Sequence, residues 1–411
     1  MENLNTDNKF EFLKGDKVLW MVIILISAFS IFPVYSASSN LEYIVNNGTT
    51  TGHIIKHIFF VVFGLFLMRG VQLVKYEFIG KISLFLLFAT IGLLGITFFS
   101  GETIDGASAA RWLKIPGTPF SFQPSTFAYL MLIIYLCRYL TKKINRERLP
   151  IENIAYIFGP ILVVFLLVFK DNGSTALMIM IVSIAVLIIG QLNWTYVAGF
   201  ISVSVVSVAL FIIIALNTNL IGGNRIHTWT SRIETFVSSK NPEKIEDEQT
   251  KAKNYQTMQA TAAIVHGGIT GMGPGKSALK QMLPQSASDF IFAIIVEEYG
   301  FMGAFVLIAL YFIMIMRIVI IASKMPAFFG SLLVIALGLM IFLQLSVNIA
   351  VALKLIPVTG QPLPLISYGG TSMLVTYIQL GIILNVSARI QVYDEEGLGK
   401  RQSVEEINDI A

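Results

Sequence analysis

Ten apolar segments recur along this chain, at about 18–37, 54–74, 79–99, 123–141, 153–170, 173–192, 195–216, 290–320, 327–352 and 371–391. Each meets or approaches the roughly 20 residues that a helix needs to cross a bilayer. No other feature confines the fold so far, because amides in lipid must find partners within their own segment, and segments of this length do so as helices. Only 13% of the 411 residues are charged, about half the share of an ordinary soluble domain. A soluble enzyme and a disordered chain are therefore excluded. The expected fold is an all-α polytopic membrane protein with ten transmembrane helices. Lys14 and Lys17 precede the first run and Ser36-Ala37-Ser38 follows it, as in a signal peptide. The run is long for one and nine spans follow, so it is read as a retained span.

Basic residues in short loops mark the cytoplasmic side. With the N-terminus inside, Lys9, Lys14, Lys17, Arg69, Lys75, Lys81 and the cluster Arg138, Lys142, Lys143, Arg146 and Arg148 all fall inside. So do Arg317, Lys324, Arg389, Lys400 and Arg401, while the outward loop 38–53 has no Lys or Arg. Both termini are thus expected in the cytoplasm. The chain divides into a cytoplasmic tail 1–17, a ten-helix membrane domain 18–391, a large extracytoplasmic loop 217–289 within it, and a cytoplasmic tail 392–411. Lys240 to Lys253 is dense in charge and expected to be mobile, whereas Tyr255 to Asp289 reads as surface-lying or partly re-entrant. Asp394, Glu395, Glu396, Glu405 and Glu406 read as a solvated tail. The net charge of +4 is small and scattered, so nucleic acid is not expected as a partner, and Cys137, being alone, forms no internal disulfide.

Asp289 stands where the long loop enters the eighth span. A helix N-terminus stabilises its anion, whereas apolar neighbours raise its pKa, a balance that suits a proton acceptor; a capping role is the competing reading. Glu297 and Glu298 follow roughly 12–13 Å down the helix, at an expected intramembrane depth that makes them a functional pair by default. They point about 100° apart, so both cannot face one partner; the alternatives are protonation, or pairing with a buried base such as Lys56. Arg111 and Lys114, beside Trp112, could bind lipid phosphates or anchor the interface. Gly267 to Ser277 is glycine-rich and ends in Gly-Lys-Ser, but Thr270 stands where a phosphate loop needs Gly. Its expected state is a flexible turn with N–H groups able to approach a ligand. His53, His57, His227 and His266 lack metal-site spacing, which leaves room only for a divalent cation, Mg²⁺ or Mn²⁺, bridging Asp289 and a substrate pyrophosphate.

Three motifs carry a resemblance. The runs Leu283-Pro284-Gln285-Ser286-Ala287-Ser288-Asp289-Phe290-Ile291-Phe292-Ala293 with Glu297-Glu298-Tyr299-Gly300, Pro357 to Ser372 around Ser367-Tyr368-Gly369-Gly370, and Arg111-Trp112 with Phe122-Gln123-Pro124-Ser125 resemble the SEDS proteins (shape, elongation, division and sporulation) over nearly the whole chain. The resemblance implies a peptidoglycan glycosyltransferase of the bacterial cytoplasmic membrane. Such an enzyme polymerises lipid II, leaves undecaprenyl pyrophosphate, and works with a class B penicillin-binding protein and other division proteins. It implies Asp289 as the catalytic acid residue, Arg111 and Gln123 as substrate-cavity residues, and Ser367, Tyr368, Gly369 and Gly370 as the cavity's outer wall; Lys114, as a cation beside Arg111, is expected to help it bind the substrate's pyrophosphate. Thr126, Lys170 and Gln285 depart from the family pattern. The Ser-Asp-Phe-Ile-Phe form leans toward the cell-division branch over the elongation branch. Two competing classes remain: a transporter of the lipid-linked precursor using Glu297 and Glu298, and a non-catalytic scaffold.

Overall fold

The computed structural model describes residues 14–43, 49–100, 112–114, 121–142, 150–170, 172–217, 248–278 and 287–396. Helices occupy all ten apolar segments: α1 (Lys17–Tyr43), α2 (Thr50–Leu73), α3 (Tyr76–Ser100), α4 (Pro124–Leu140), α5 (Ile151–Phe169), α6 (Gly173–Ile189) and α7 (Trp194–Asn217). After α8 (Glu248–Gly267) come α9 (Ile291–Lys324), α10 (Phe328–Ala352) and α11 (Gly370–Glu396). The starts follow local chemistry. The Asp16 carboxylate accepts from Leu19 N at 2.8 Å, Thr49 Oγ1 from Gly52 N at 3.0 Å and Asn172 Oδ1 from Thr175 N at 3.2 Å, each satisfying an amide that the first turn leaves unpaired. Pro124 opens α4, where its missing N–H costs nothing.

Seven helices, α1, α2, α3, α5, α9, α10 and α11, are long and apolar enough to cross a membrane, while α4, α6 and α7 supply shorter apolar stretches. The chain is an all-α, multi-pass membrane protein; among the described residues the strands are the two-residue β1 (Leu113–Lys114) and β2 (Ser121–Phe122), in antiparallel register. α4 is an enclosed helix, with Leu130, Leu132, Ile133, Ile134 and Leu136 all buried. Around it α3, α5, α6, α10 and α11 pack, and α2 lies along α11. Gly64 lets the Tyr377 ring press onto α2, where Tyr377 Oη donates to Ser27 Oγ of α1 at 2.8 Å. Phe63, Phe66, Phe85, Phe88, Phe305 and Phe312 stand exposed on the outside of the bundle, an apolar surface that only lipid would cover without penalty.

One expectation changes here. Part of the segment expected to be mobile, from Glu248 through Lys253, forms the first turns of α8, which is held to the bundle by Ala260 and Ala263 against Phe290 and Ile294. α11 runs on to Glu396, past the end of its apolar span at Ile390.

Candidate active site

Asp289 sits in the turn 287–290 that leads into α9. Phe290 occupies the N-cap position of α9, with Asp289 immediately before it. Three bonds fix the turn through its main chain. Tyr368 N donates to Ala287 O at 2.8 Å, Ser367 Oγ to Ser288 O at 2.6 Å and Asn348 Nδ2 to Asp289 O at 3.1 Å. All three acceptors are main-chain carbonyls, so the turn is held through its backbone.

The loop between α10 and α11 closes over this turn. Gly360, at φ 71°, brings the backbone so near that a Cβ there would lie 3.3 Å from Asp289 Oδ2, an approach and a conformation that suit glycine. Side chains stitch the loop in place on both flanks. Asn348 Nδ2 also donates to Gln361 O at 2.7 Å, Gln344 Nε2 donates to Pro362 O at 2.9 Å, and Gln361 Nε2 reaches Thr175 Oγ1 of α6 at 2.8 Å. Ser174 Oγ donates to Thr359 O at 2.9 Å.

Beneath Gly360, between α4, α6, α10 and α11, lies a cavity of about 40 Å³ whose polar wall includes Gln123, Thr126, Asn172, Gln344, Gln361 and Gln379. Buried oxygens here lack hydrogen-bond partners: Gln379 Oε1, and beside the cavity Asn348 Oδ1 and Thr359 Oγ1. Amides are costly inside an apolar bundle, and acceptors left unmet within one call for donors from water or a ligand. An acid at the rim of a polar cavity, clamped by its backbone, can receive a proton from a hydroxyl group presented there.

The motif residues converge only in part. Ser367 and Tyr368 pin the Asp289 turn, and Tyr368 Oη lies 3.3 Å from His53 Nδ1 of α2. Gly369 and Gly370 lead into α11, where the Phe60 ring lies 2.7 Å from a Cβ built at Gly370. Gln123 lines the cavity and its amide donates to Thr371 Oγ1 at 3.4 Å. Lys114 is exposed on β1, paired with Ser121, one strand away from Gln123. Arg111 and Gln285 lie outside the described residues. Of the departing positions, Thr126 lines the cavity and bonds Gln123 O at 2.8 Å, whereas Lys170 turns away, donating to Phe98 O at 3.0 Å. Sequence reasoning passed over Asn348, Gln344, Gln361 and Gln379. Their signal was present: Gln344, Asn348 and Gln379 interrupt apolar helices, where a neutral amide is nearly as conspicuous as a charge.

Glu297 and Glu298 serve a different structure. α9 breaks at Gly300, whose φ of 70° and ψ of −172° interrupt the helix. The break is mended by the glycine-rich strap 267–278. Met272 N and Gly273 N donate to the carbonyls of Glu297 and Glu298 at 3.0 and 2.9 Å, and Phe301 N and Met302 N donate to those of Gly268 and Ile269 at 2.9 and 3.1 Å. The amides expected to meet a ligand are thus spent on the broken helix. The expectation that the two carboxyls cannot share a partner also fails. Ser277 offers two donors in different directions, its hydroxyl to Glu297 and its amide to Glu298 at 3.4 Å. Ala278 N adds a bond to Glu297 at 3.1 Å, and the Ser36 hydroxyl of α1 donates to Glu298. Both acids are buried, and Lys56, weighed as a buried base, is exposed.

Comparison with known proteins places this geometry among relatives. Residues 16–391 match the family FtsW/RodA/SpoVE, described as cell cycle protein. A probable peptidoglycan glycosyltransferase FtsW of Enterococcus hirae is 30% identical over 399 residues, covering 92% of this chain and 94% of that protein. Stage V sporulation protein E of Bacillus subtilis is 27% identical over 376 residues, covering 90% and 96%. In fold, the chain is similar to a chain of a peptidoglycan synthase complex described as coordinating polymerization and crosslinking, with a TM-score of 0.67, 23% identity and coverage of 92% and 98%. It is likewise similar to the rod shape determining protein RodA of Thermus thermophilus, with a TM-score of 0.62, 22% identity and coverage of 91% and 96%.

Proposed function

The chain belongs to the FtsW/RodA/SpoVE family of cell cycle proteins, and from that premise we propose that it is a peptidoglycan glycosyltransferase that polymerises lipid II for septal wall synthesis. It is a multi-pass protein of the bacterial inner membrane. The reading takes α4, α6 and α7 as spans beside the seven longer helices, making ten with both termini in the cytoplasm. At 17 residues α4 and α6 are about 25 Å long, short for the ~30 Å core but within reach of a locally thinned bilayer. Asp289 then faces outward, where lipid II is polymerised. The FtsW name of the Enterococcus hirae relative supports the division reading; an elongation-type polymerase is the alternative within the family.

Asp289 accepts the proton of the acceptor sugar hydroxyl as its oxygen bonds to the donor's anomeric carbon. The bond from that carbon to the lipid pyrophosphate breaks, and undecaprenyl pyrophosphate leaves with the electron pair. One base and no second carboxylate nucleophile means direct displacement with inversion, an α-linked donor giving a β-linked polymer. Arg111 and Lys114 neutralise the leaving pyrophosphate. Gln123 and the Ser367 to Gly370 segment shape the substrate cavity. Among the described residues no group of three or more His, Cys, Asp or Glu could hold a metal ion, so a divalent cation would share its ligands between Asp289 and the substrate. The observation that carries the reading is the backbone clamp that sets Asp289 against Gly360 at the rim of the polar cavity. A transporter relay through Glu297 and Glu298 draws less support, since the strap occupies both oxygens of Glu297, and of Glu298 only the buried Oε2 is left without a partner.

A class B penicillin-binding protein is the expected partner, in keeping with the fold likeness to a chain of a synthase complex. The test is lipid II polymerisation by the purified protein with and without that partner, comparing wild type with Asp289→Asn. Glycan strands from the wild type alone are expected. Strands made by the variant at the wild-type rate would refute the assignment.

A further inference from the structure

α8 has two faces, and only one is spoken for. Ala260, Ala263 and Ile264 pack on α9 and α10. The opposite face carries Tyr255, Met258 and Val265 and continues past the helix end with Ile269, at helical spacing and exposed; Val265 is 73% and Ile269 72% exposed. This stripe does not stop at the strap. Because Phe301 N and Met302 N bond the carbonyls of Gly268 and Ile269, the exposed side chains of Ile269 and Met272 run beside the exposed Phe301, Met302 and Phe305 of α9. The half of α9 beyond its break, Phe301–Lys324, is about 36 Å long, sufficient by itself to cross the ~30 Å apolar core. Its exposed phenylalanines therefore face lipid from the first turn, and the α8 stripe is continuous with that lipid-facing surface.

Beside the stripe lies an open hollow of about 350 Å³, walled by Met258, Ala262 and Val265 and edged by Thr261, His266 and Lys354. Lys354 is held there in a left-handed conformation, φ 57°, by the end of α10, where Leu355 N donates to Ala350 O at 2.8 Å. An apolar wall with a cation at its edge matches an amphiphile carrying a negative headgroup. A purely apolar partner helix would instead bury the Lys354 ammonium without a counter-charge.

We propose that this face of α8 docks an anionic phospholipid of the outer leaflet, its acyl chain against Met258, Val265 and Ile269 and its phosphate at Lys354 and His266. The docking ties α8 and the strap, and through the strap the break in α9, to the membrane surface. It does not depend on the polymerase reading.

Two measurements on the full chain in phosphatidylglycerol-containing nanodiscs test it. A nitroxide at Val265→Cys, in a Cys137→Ala background, reports which relaxant reaches the stripe. Stronger relaxation by oxygen than by a nickel chelate is expected. Dominant relaxation by nickel, or protection from both as beneath a polypeptide, would overturn the proposal. Retention of phosphatidylglycerol, read by native mass spectrometry, needs no new cysteine. Lys354→Gln is expected to weaken it about fivefold while phosphatidylcholine retention stays level; equal retention of phosphatidylglycerol by wild type and variant would overturn the headgroup contact.

Discussion

Near its Lys324 end, α9 meets a closed network. Arg317 Nε donates to Asp16 Oδ2 at 3.0 Å, Asp16 also caps α1, and Trp20 Nε1 bonds Lys14 O at 3.0 Å. Gln72 reaches the same Lys14 carbonyl, while Asn385 accepts from Tyr76 N at 3.1 Å and donates to Gln72 O. Near its Ile291 end the same helix begins among carbonyl clamps, a polar cavity and the buried acceptors Asn348 Oδ1, Thr359 Oγ1 and Gln379 Oε1, which lack hydrogen-bond partners. The first end spends most of its polar groups on one another, Glu77 Oε2 excepted, and so fixes the bundle. The second spends its amides on holding a loop and a turn, and leaves acceptors for donors from elsewhere. The first end ties helices together, and on the proposed reading the second carries the chemistry.

Substitutions can break or sharpen that contrast. The largest stability effect belongs to Gly300→Val. A β-branched residue at a left-handed position, with its Cβ driven into the Gly271 amide and the Ile269 carbonyl, should cost about 3 kcal/mol. Melting of the purified protein checks it, and an unchanged melting temperature would mean that the strap does not brace α9. Asn348→Leu comes next. Both donor bonds to Asp289 O and Gln361 O are lost, for about 2 kcal/mol of stability, and the loosened turn should lower turnover roughly tenfold. If melting falls but turnover per folded molecule holds, the carbonyl clamp is merely structural. Smallest is Ser277→Ala, which removes one hydroxyl from Glu297 and should cost about 1 kcal/mol with turnover nearly unaltered. A greater loss of turnover here than in Asn348→Leu would return Glu297 to the chemistry and favour the relay reading.

Much of the architecture was legible because it rests on short-range regularities. The ten apolar runs all became helices, and Ser367 and Tyr368, far along the chain, bond the carbonyls of the turn that carries Asp289. Other features were hidden for identifiable reasons. α8 is polar overall and packs through Ala260 and Ala263, whose small side chains leave little periodic signal. The strap looked flexible because its glycines suggest freedom. In the fold, Gly267 and Gly271 are instead sites where another backbone comes too close for a Cβ, facing Val296 and Glu298 respectively. That pairing joins residues about thirty positions apart, which no local pattern announces. The angular argument separating Glu297 from Glu298 was sound for an isolated helix; it failed because Ser277 brings two donors at once.

The measurement that bears most directly on the contrast compares the two aspartates in one preparation. Lipid II polymerisation per folded molecule and melting temperature would be read for Asp289→Asn and for Asp16→Asn, the latter keeping a capping side chain while losing the charge opposite Arg317. Asp289→Asn should lower the rate by roughly 10²- to 10⁴-fold with melting intact. Asp16→Asn should keep the rate and lose about 1 kcal/mol, since Arg317 is partly open to solvent. Wild-type polymerisation by Asp289→Asn would contradict the account.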